Sequence, residues 1–219
     1  MNYTQLSAAI QAYTENTEAN FVAEIPVFVQ QAEQRIYNSV QFPSIRKNVT
    51  GSTSSGNKYL GCPSDFLAVY SIAAIDATGA YEYLLNKDVN YIRQAYPNPT
   101  SDTGIPKYYA LFGSQTNDVN ELTFILGPTP NATYSVELHY YYYPESIVTA
   151  STTWLGDNFD SVLLYGSLVE AYTYMKGEAD MMALYNQKYM EALALAKRLG
   201  DGMERQDAYR SGQFRQAVT

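Results

Sequence analysis

FDSVLLYGSLVEAYTYMK, residues 159–176, predicts a helix with apolar side chains on nearly every face. Such a helix has no polar side to turn to water, so neighbouring elements must enclose it all round. Gly177 follows it as a helix breaker. In a chain of 219 residues, we expect other subunits to supply part of this enclosure. The apolar residues are Phe159, Val162, Leu163, Leu164, Tyr165, Leu168, Val169, Tyr172 and Met175.

The next segment, residues 178–199, predicts the longest helix. Its apolar residues recur at steps of three and four, which resembles a heptad seam: Met182, Tyr185, Tyr189, Ala192, Ala196 and Leu199. Lys197 and Arg198 followed by Gly200 predict that the helix ends at Gly200. From these two helices we predict that inter-subunit packing uses Phe159, Leu164, Leu168, Tyr172, Met182, Tyr185 and Tyr189.

Two more helices are predicted near the N-terminus. Residues 2–13 begin with a capping box, in which Asn2 is the N-cap and Gln5 stands three residues later. Residues 25–40 carry an apolar stripe at helical spacing, and Pro26 suits the first helical position because its missing N–H is not needed there. Three polar residues fall off this stripe, namely Glu33, Gln34 and Arg35.

The middle of the chain has the composition of β structure. Residues 47–61 are rich in Ser, Thr and Gly, and their turn signals predict a hairpin. The run 66–75 and the alternating segment 133–143 predict strands. Residues 88–95 predict a short helix capped by Asp88.

The predicted fold class is therefore α+β. A helical bundle is formed by residues 1–44 and 150–200, a mostly antiparallel β module spans 45–149, and an extended C-terminal arm spans 201–219. The arm, DGMERQDAYRSGQFRQAVT, has no apolar period. Ordering it costs about 1–2 kcal/mol per residue, so we expect it either to lie along another molecule or to remain a frayed terminus.

Composition limits the possible partners. The 22 acidic residues outnumber the 14 basic ones, giving a net charge of −8, which disfavours binding to nucleic acid through a basic face. We expect no signal peptide and no membrane span. The 22 tyrosines suit contact surfaces, although a β-rich protein that fills its strand pairs with tyrosine would show the same count.

No catalytic set is predicted, and no metal or cofactor. His139 is the sole histidine and Cys62 the sole cysteine, too few for a usual zinc site. We expect His139 to be a surface or satisfied strand residue. Four acidic residues near turns and strand ends are candidates for paired acids, but nothing fixes a pair at working separation: Asp65, Asp76, Glu82 and Asp102.

Several segments, taken in order, resemble the head-to-tail adaptor proteins of tailed phages with short tails. They are FVAEIPVFVQQAEQRI (21–36), LGPTP (126–130), WLGDNF (154–159), YTYMKGE (172–178) and AYRSG (208–212). Each segment is short, so the order and the spacing carry the resemblance, which covers nearly the whole chain.

The resemblance implies a non-enzymatic virion protein of the phage neck. Twelve copies would form a ring between the portal protein and the tail nozzle, and DNA would pass through the ring without specific binding. Assembly would take place in the host cytoplasm. The resemblance also implies that the arm contacts the portal, and its candidate anchors are Arg205, Tyr209, Arg210, Phe214 and Arg215.

A second reading of the sequence is a carbohydrate-binding or glycan-degrading tail protein. In this reading, tyrosines of segment 133–143 stack on sugar rings. The two readings differ in what they bind, because a lectin or hydrolase would engage glycan in the absence of portal.

Overall fold

A computed structural model describes residues 1–40, 42–113 and 122–210, without the side chains of Pro43 and of residues 201–210. The helices are α1 (Tyr3–Thr14), α2 (Ala19–Ser39), α3 (Val89–Ala95), α4 (Ile147–Ala150), α5 (Trp154–Asn158), α6 (Asp160–Met175) and α7 (Ala179–Arg210). The strands are β1 (Arg46–Ser52), β2 (Tyr59–Gly61), β3 (Phe66–Ile75), β4 (Tyr81–Tyr83), β5 (Leu85–Asn86), β6 (Tyr108–Phe112), β7 (Thr123–Gly127) and β8 (Ser135–Tyr142).

The fold is α+β, as the sequence predicts. Two compact units are present: a helical unit, formed by Met1–Ile45 together with the chain from Tyr143 onward, and a β unit, Arg46–Tyr142. In the described part of the chain, no helix is long and apolar enough to cross a membrane.

Helix α1 begins with the predicted capping box. The Gln5 N–H donates to Asn2 Oδ1 at 2.9 Å, and the Asn2 N–H donates to Gln5 Oε1 at 3.0 Å. Two N–H groups that the first helical turn leaves without intrahelical partners are thereby satisfied.

Helix α2 begins at Ala19, so the predicted start at Ile25 is wrong and Pro26 lies inside the helix. Phe21 explains the longer helix. Its side chain is 2% exposed, and its ring centroid lies 5.8 Å from that of Phe28 and 6.4 Å from that of Tyr174. Burial of this aromatic side chain outweighs the weak local preference for starting at Pro26.

Helix α6 lies at the centre of the helical unit and contacts α1, α2, α5 and α7. The chain enters α6 through an aromatic cluster, in which the Trp154 ring centroid lies 5.1 Å from Phe42 and 5.6 Å from Phe159. Phe159 is the N-cap residue of α6, and its side chain forms no capping hydrogen bond. Asp157 and Asn158, whose side chains could cap a helix that starts here, belong instead to the short helix α5.

Helix α7 continues through Gly200 to Arg210, so the predicted end at Gly200 is wrong. A glycine inside a helix costs only about 1 kcal/mol relative to alanine. The residues that follow include good helix formers, namely Met203, Glu204, Arg205, Gln206 and Ala208. The extended conformation predicted for the arm is likewise wrong for residues 201–210, and residues 211–219 lie outside the described residues.

The β unit consists of two sheets, with strand orders β1-β8-β3-β4 and β2-β7-β6-β5. All pairings are antiparallel except that of β5 with β6. Side chains from both sheets form one core, in which Ile72, Leu138 and Tyr140 of the first sheet meet Phe124 and Leu126 of the second. The two sheets therefore face each other across this core.

The hairpin predicted over residues 47–61 does not form. Its two strands belong to different sheets, since β1 pairs with β8 and β2 pairs with β7. The turn between them is held by long-range backbone hydrogen bonds, in which the Thr53 N–H donates to Tyr134 O and the Gly56 N–H donates to Pro130 O. Local turn signals cannot distinguish a hairpin from a strand that crosses between sheets.

A third layer covers the outer face of the second sheet. Helix α3, capped by Asp88 as predicted, places Ile92 in a small core with Ala110 and Ile125. The β unit is thus built from the first sheet, the second sheet and α3 in that order.

Candidate functional site

Two of the predicted packing residues in this region, Leu164 and Leu168, are buried by helices of the same chain. Leu168 is fully buried and Leu164 is 8% exposed, whereas Phe159 and Tyr172 are partly exposed. At Leu164 and Leu168, the apolar surface of α6 is therefore covered by the same subunit. The sequence analysis expects other subunits to cover it.

The heptad-like seam of α7 also faces α6. The Tyr185 ring centroid lies 4.9 Å from that of Tyr172, and Gly166 of α6 makes room for the ring of Tyr189. Burial and the hydroxyl of Tyr172 raise the pKa of Tyr185 to about 12. Tyr185 and Tyr189 are buried, and Met182 at the start of the seam is partly exposed.

The side of α7 next to this seam is apolar and exposed, and it includes Leu199, which the sequence analysis assigns to the seam. Its leucines are 45%, 61% and 40% exposed at Leu184, Leu195 and Leu199. At about 100° per residue these three positions fall within about 60° of one another around the helix axis. The sequence analysis did not identify this stripe, because the heptad-like spacing of apolar residues marks the side of the helix that packs within the subunit.

The five predicted arm residues divide into two groups. Arg205, Tyr209 and Arg210 belong to the last three turns of α7. Phe214 and Arg215 lie outside the described residues. Arg205, Tyr209 and Arg210 are therefore helical in their backbone.

The sequence analysis missed Glu33, whose side chain is only 4% exposed. Its Oε1 accepts a hydrogen bond of 2.9 Å from the N–H of Ile147, the first residue of α4, and a second from Ser146. Burial raises the pKa of Glu33 even though both hydrogen bonds favour its charged form. The carboxylate thus holds the segment that enters α4. No local pattern shows this, because Ile147 is 114 residues away in sequence.

Arg35, the other charged residue of α2 near Glu33, forms an ion pair with Glu170 of α6. The arginine side chain is 45% exposed and that of Glu170 is 13% exposed. The pair joins the two helices at the edge of the helical core, beside the buried Tyr189, whose pKa burial raises.

Three of the four candidate acids, Asp65, Asp76 and Asp102, accept hydrogen bonds from nearby residues. Asp65 accepts hydrogen bonds from Lys47 Nζ at 2.6 Å and from the Tyr140 hydroxyl at 2.8 Å. Asp76 accepts hydrogen bonds from the Thr78 hydroxyl and from the N–H groups of Thr78 and Ala80 in the turn before β4, and these bonds lower its pKa.

Asp102 accepts the N–H of Asn98 in a loop, and Glu82 lies on the edge strand β4. Among the described residues, no three His, Cys, Asp or Glu side chains gather as metal ligands would.

Cys62 lines a cavity of about 310 Å³ in the β unit, together with Val49, Leu60, Ile72 and Phe124. Burial raises the pKa of the thiol to about 12. A thiol with this pKa is almost wholly protonated at neutral pH and is a poor nucleophile.

Tyrosines of the segment 133–143 do not form an open platform. Tyr140 is 1% exposed and belongs to the core between the sheets. Tyr141 faces outward, but the Arg46 guanidinium lies 5.9 Å from its ring centroid and 5.1 Å from that of Tyr70. Tyr140 and Tyr141 therefore offer no free ring face to a sugar, and Tyr143, at the end of the segment, is 38% exposed.

The open polar cluster of the first sheet is centred on Glu137. Its carboxylate accepts a hydrogen bond from the Tyr81 hydroxyl, which raises the pKa of Tyr81, and one from Asn48 Nδ2 at 3.4 Å. His139 Nε2 lies 3.7 Å away, with the histidine side chain 44% exposed. His139 is thus a surface strand residue, as predicted.

The sequence profile described as SU10 adaptor protein matches residues 1–216. The match spans both units of the fold and all five segments on which the resemblance to phage head-to-tail adaptors rests. A search of curated proteins found no match.

Proposed function

The chain belongs to the SU10 adaptor protein family, a phage adaptor family with a structural role, and on this premise we propose that twelve copies form a ring between the portal and the tail nozzle. The ring encloses the DNA channel and is assembled in the host cytoplasm before it joins the virion neck. Its role is mechanical, and no cofactor takes part.

The exposed leucine stripe of α7 is the observation that carries this proposal. Leu184, Leu195 and Leu199 remain open to solvent along one side of α7. An aligned apolar stripe on the longest helix is costly to expose to water and suits contact with another protein. The neighbouring copy in the ring covers it.

Inter-subunit contact also involves the partly exposed members of the predicted packing set, Phe159, Tyr172 and Met182. The fully buried members support this contact indirectly, since they fix α6 and α7 against each other. The packing of α6 against α7 is fixed by four buried side chains, Leu164, Leu168, Tyr185 and Tyr189. The exposed side chains contact the neighbouring subunit.

The C-terminal end of α7 and the residues beyond it bind the portal. This segment offers arginines and aromatic side chains, the residue types enriched in protein interfaces. Its anchors are Arg205, Tyr209, Arg210, Phe214 and Arg215. The net charge of −8 keeps DNA from adhering to the protein as it passes.

The test is the mass of the assembly formed with purified portal protein. We expect wild-type chain and portal to form a complex of twelve copies on twelve. Leu195→Asp places a charge in the stripe and blocks this complex. Asn186→Asp adds the same charge nine residues away, on the opposite side of α7, and leaves the complex intact.

A second variant tests the portal contact. Deletion of residues 211–219 leaves the helical content unchanged by circular dichroism but removes the portal from the complex. A deleted chain that still binds portal shows that Phe214 and Arg215 are not needed for the contact. A Leu195→Asp chain that still forms twelve-copy rings refutes the role of the stripe.

A further inference from the structure

The outer face of the first sheet carries two exposed tyrosine rings side by side. Tyr81 and Tyr83 are 50% and 66% exposed. Their ring centroids are 6.2 Å apart and the ring planes differ by 26°. Among the described residues no arginine or lysine lies over either ring, whereas Arg46, Lys47, Lys58 and Lys87 each cover another tyrosine.

A carboxylate lies on the same face beside these rings. Strand register aligns Tyr83 of β4 with Ala73 of β3 and Ala73 with Glu137 of β8, so the tyrosine and the carboxylate lie on one face of the sheet, on either side of Ala73, which is itself only 3% exposed. Glu137 accepts hydrogen bonds from Tyr81 and Asn48. An ionised carboxylate has about four acceptor positions, so Glu137 can accept further donors.

Aromatic faces next to a carboxylate match the chemistry of a guanidinium group. Arginine stacks on aromatic rings and donates two parallel hydrogen bonds to a carboxylate. The same face already shows half of this arrangement, because Arg46 lies over Tyr70 and Tyr141. The Tyr81, Tyr83 and Glu137 cluster, called here the tyrosine–glutamate site, is therefore suited to receive an arginine.

The β unit has one other arginine, Arg93, and it lies in the layer on the opposite side. Arg93 is in α3, which packs on the outer face of the second sheet through Ile92. Its side chain is exposed, and no ion pair, hydrogen bond or ring contact engages it within the described parts of the chain. Lys87, just before α3, adds positive charge on this side through its position over Tyr91.

We propose that the tyrosine–glutamate site of one copy receives Arg93 of the next copy. The two surfaces are complementary in charge and lie on opposite sides of one three-layer unit. A contact between different surfaces of identical chains is head-to-tail and generates a ring when its rotation closes. This inference rests on the proposed ring and adds a second contact to it, within the β unit and independent of the α7 stripe.

Charge exchange between the two residues tests the pairing. Ring formation is followed by native mass spectrometry, with the full chain alone and with portal protein. Glu137→Arg and Arg93→Glu each lower the association constant by about tenfold or more, because like charges then face each other. Combining the two substitutions in one chain restores assembly, since the pair is re-formed in reverse. Lys107→Glu, the same charge change at another exposed position of the β unit, leaves assembly unchanged.

Cross-linking tests the geometry directly. Chains with Tyr83→Cys and chains with Arg93→Cys are mixed under the conditions of ring formation and oxidised, and a disulfide forms between them. A mixture of Tyr83→Cys with Asn186→Cys chains is the control, because a change at Asn186 leaves the complex intact, and it gives no comparable product. Cys62 does not interfere, because its pKa of about 12 keeps it protonated.

The outcomes separate this inference from the proposed function. Rings that form equally well in both single charge variants, or the absence of the Tyr83–Arg93 cross-link, overturn the Arg93 contact while the ring itself stands. A wild-type chain that stays monomeric with and without portal overturns both. Circular dichroism of each variant checks folding, and loss of assembly in the double variant also counts against the pairing.

Discussion

Replacing Leu168 by alanine tests whether α6 is the core of a single subunit. Leu168 is fully buried by its own chain, so its truncation should destabilise the isolated subunit. If only neighbouring copies enclosed this side chain, a dilute monomeric chain would lose nothing.

The size of the effect follows from what the substitution removes. Leu→Ala deletes three carbon groups at about 0.8 kcal/mol each, or about 2.4 kcal/mol. The cavity left between α6 and its neighbours raises the cost to as much as about 5 kcal/mol. A unit of about 120 residues has an unfolding entropy near 0.25 kcal/mol per kelvin, so a loss of about 3 kcal/mol lowers its Tm by about 12 °C.

Leu195→Ala is the matched control. It removes the same atoms from the adjacent helix, but Leu195 is 61% exposed, and we expect a change within about 0.5 kcal/mol. Both variants are unfolded in urea at low micromolar concentration. The fluorescence of Trp154, the sole tryptophan, reports on the helical unit because its ring packs against Phe42 and Phe159.

The reasoning fails if Leu168→Ala unfolds at the wild-type urea concentration in the dilute chain. It also fails if Leu195→Ala costs as much as Leu168→Ala, since burial would then not distinguish the two leucines. A large loss for Leu168→Ala alone, independent of protein concentration, assigns the enclosure of α6 to the subunit.

Two further predictions concern charged groups of the helical unit. Glu33→Ala should cost about 1–3 kcal/mol because the Ile147 N–H loses its acceptor, whereas Glu33→Gln keeps an acceptor and should cost less. Because burial raises the pKa of Glu33 in the folded state, protonation of Glu33 stabilises the fold at low pH, and this contribution is lost as the pH rises through the folded pKa. In urea titrations, wild type should therefore gain stability relative to Glu33→Gln as the pH falls from 7 to 4.5. A stability difference that does not depend on pH would contradict the raised pKa. For Arg35 and Glu170, a double-mutant cycle with alanine should give a coupling of about 0.5–1 kcal/mol that decreases in high salt, since the arginine is 45% exposed; a coupling near zero would mean that the ion pair adds nothing to the α2–α6 contact.

Local signals in the sequence predicted the parts of the fold that depend on neighbours in the chain. The capping box at Asn2 and the strand at Phe66–Ile75 both depend on residues within a few positions of one another, and both appear as expected. The alternation in β8 also holds, with Val136, Leu138 and Tyr140 facing the core.

Predictions failed where a local signal was weaker than the terms that competed with it. Gly200 is a good helix stop, yet α7 continues past it, because the local cost of a glycine is small. The turn around Gly56 suggests a hairpin, but bonds to Pro130 and Tyr134 send the two strands to different sheets.

The amino-acid sequence by itself determined the α+β class, the order of the elements, the acidic charge and the membership of an adaptor family. These properties follow from composition, from short-range periodicity and from the order and spacing of short segments. Only the tertiary structure decided which apolar residues are core and which are free. The same leucine-rich pattern places Leu168 inside the subunit and Leu195 outside it, because burial depends on which helices pack together, and that packing is set by contacts far apart in the chain.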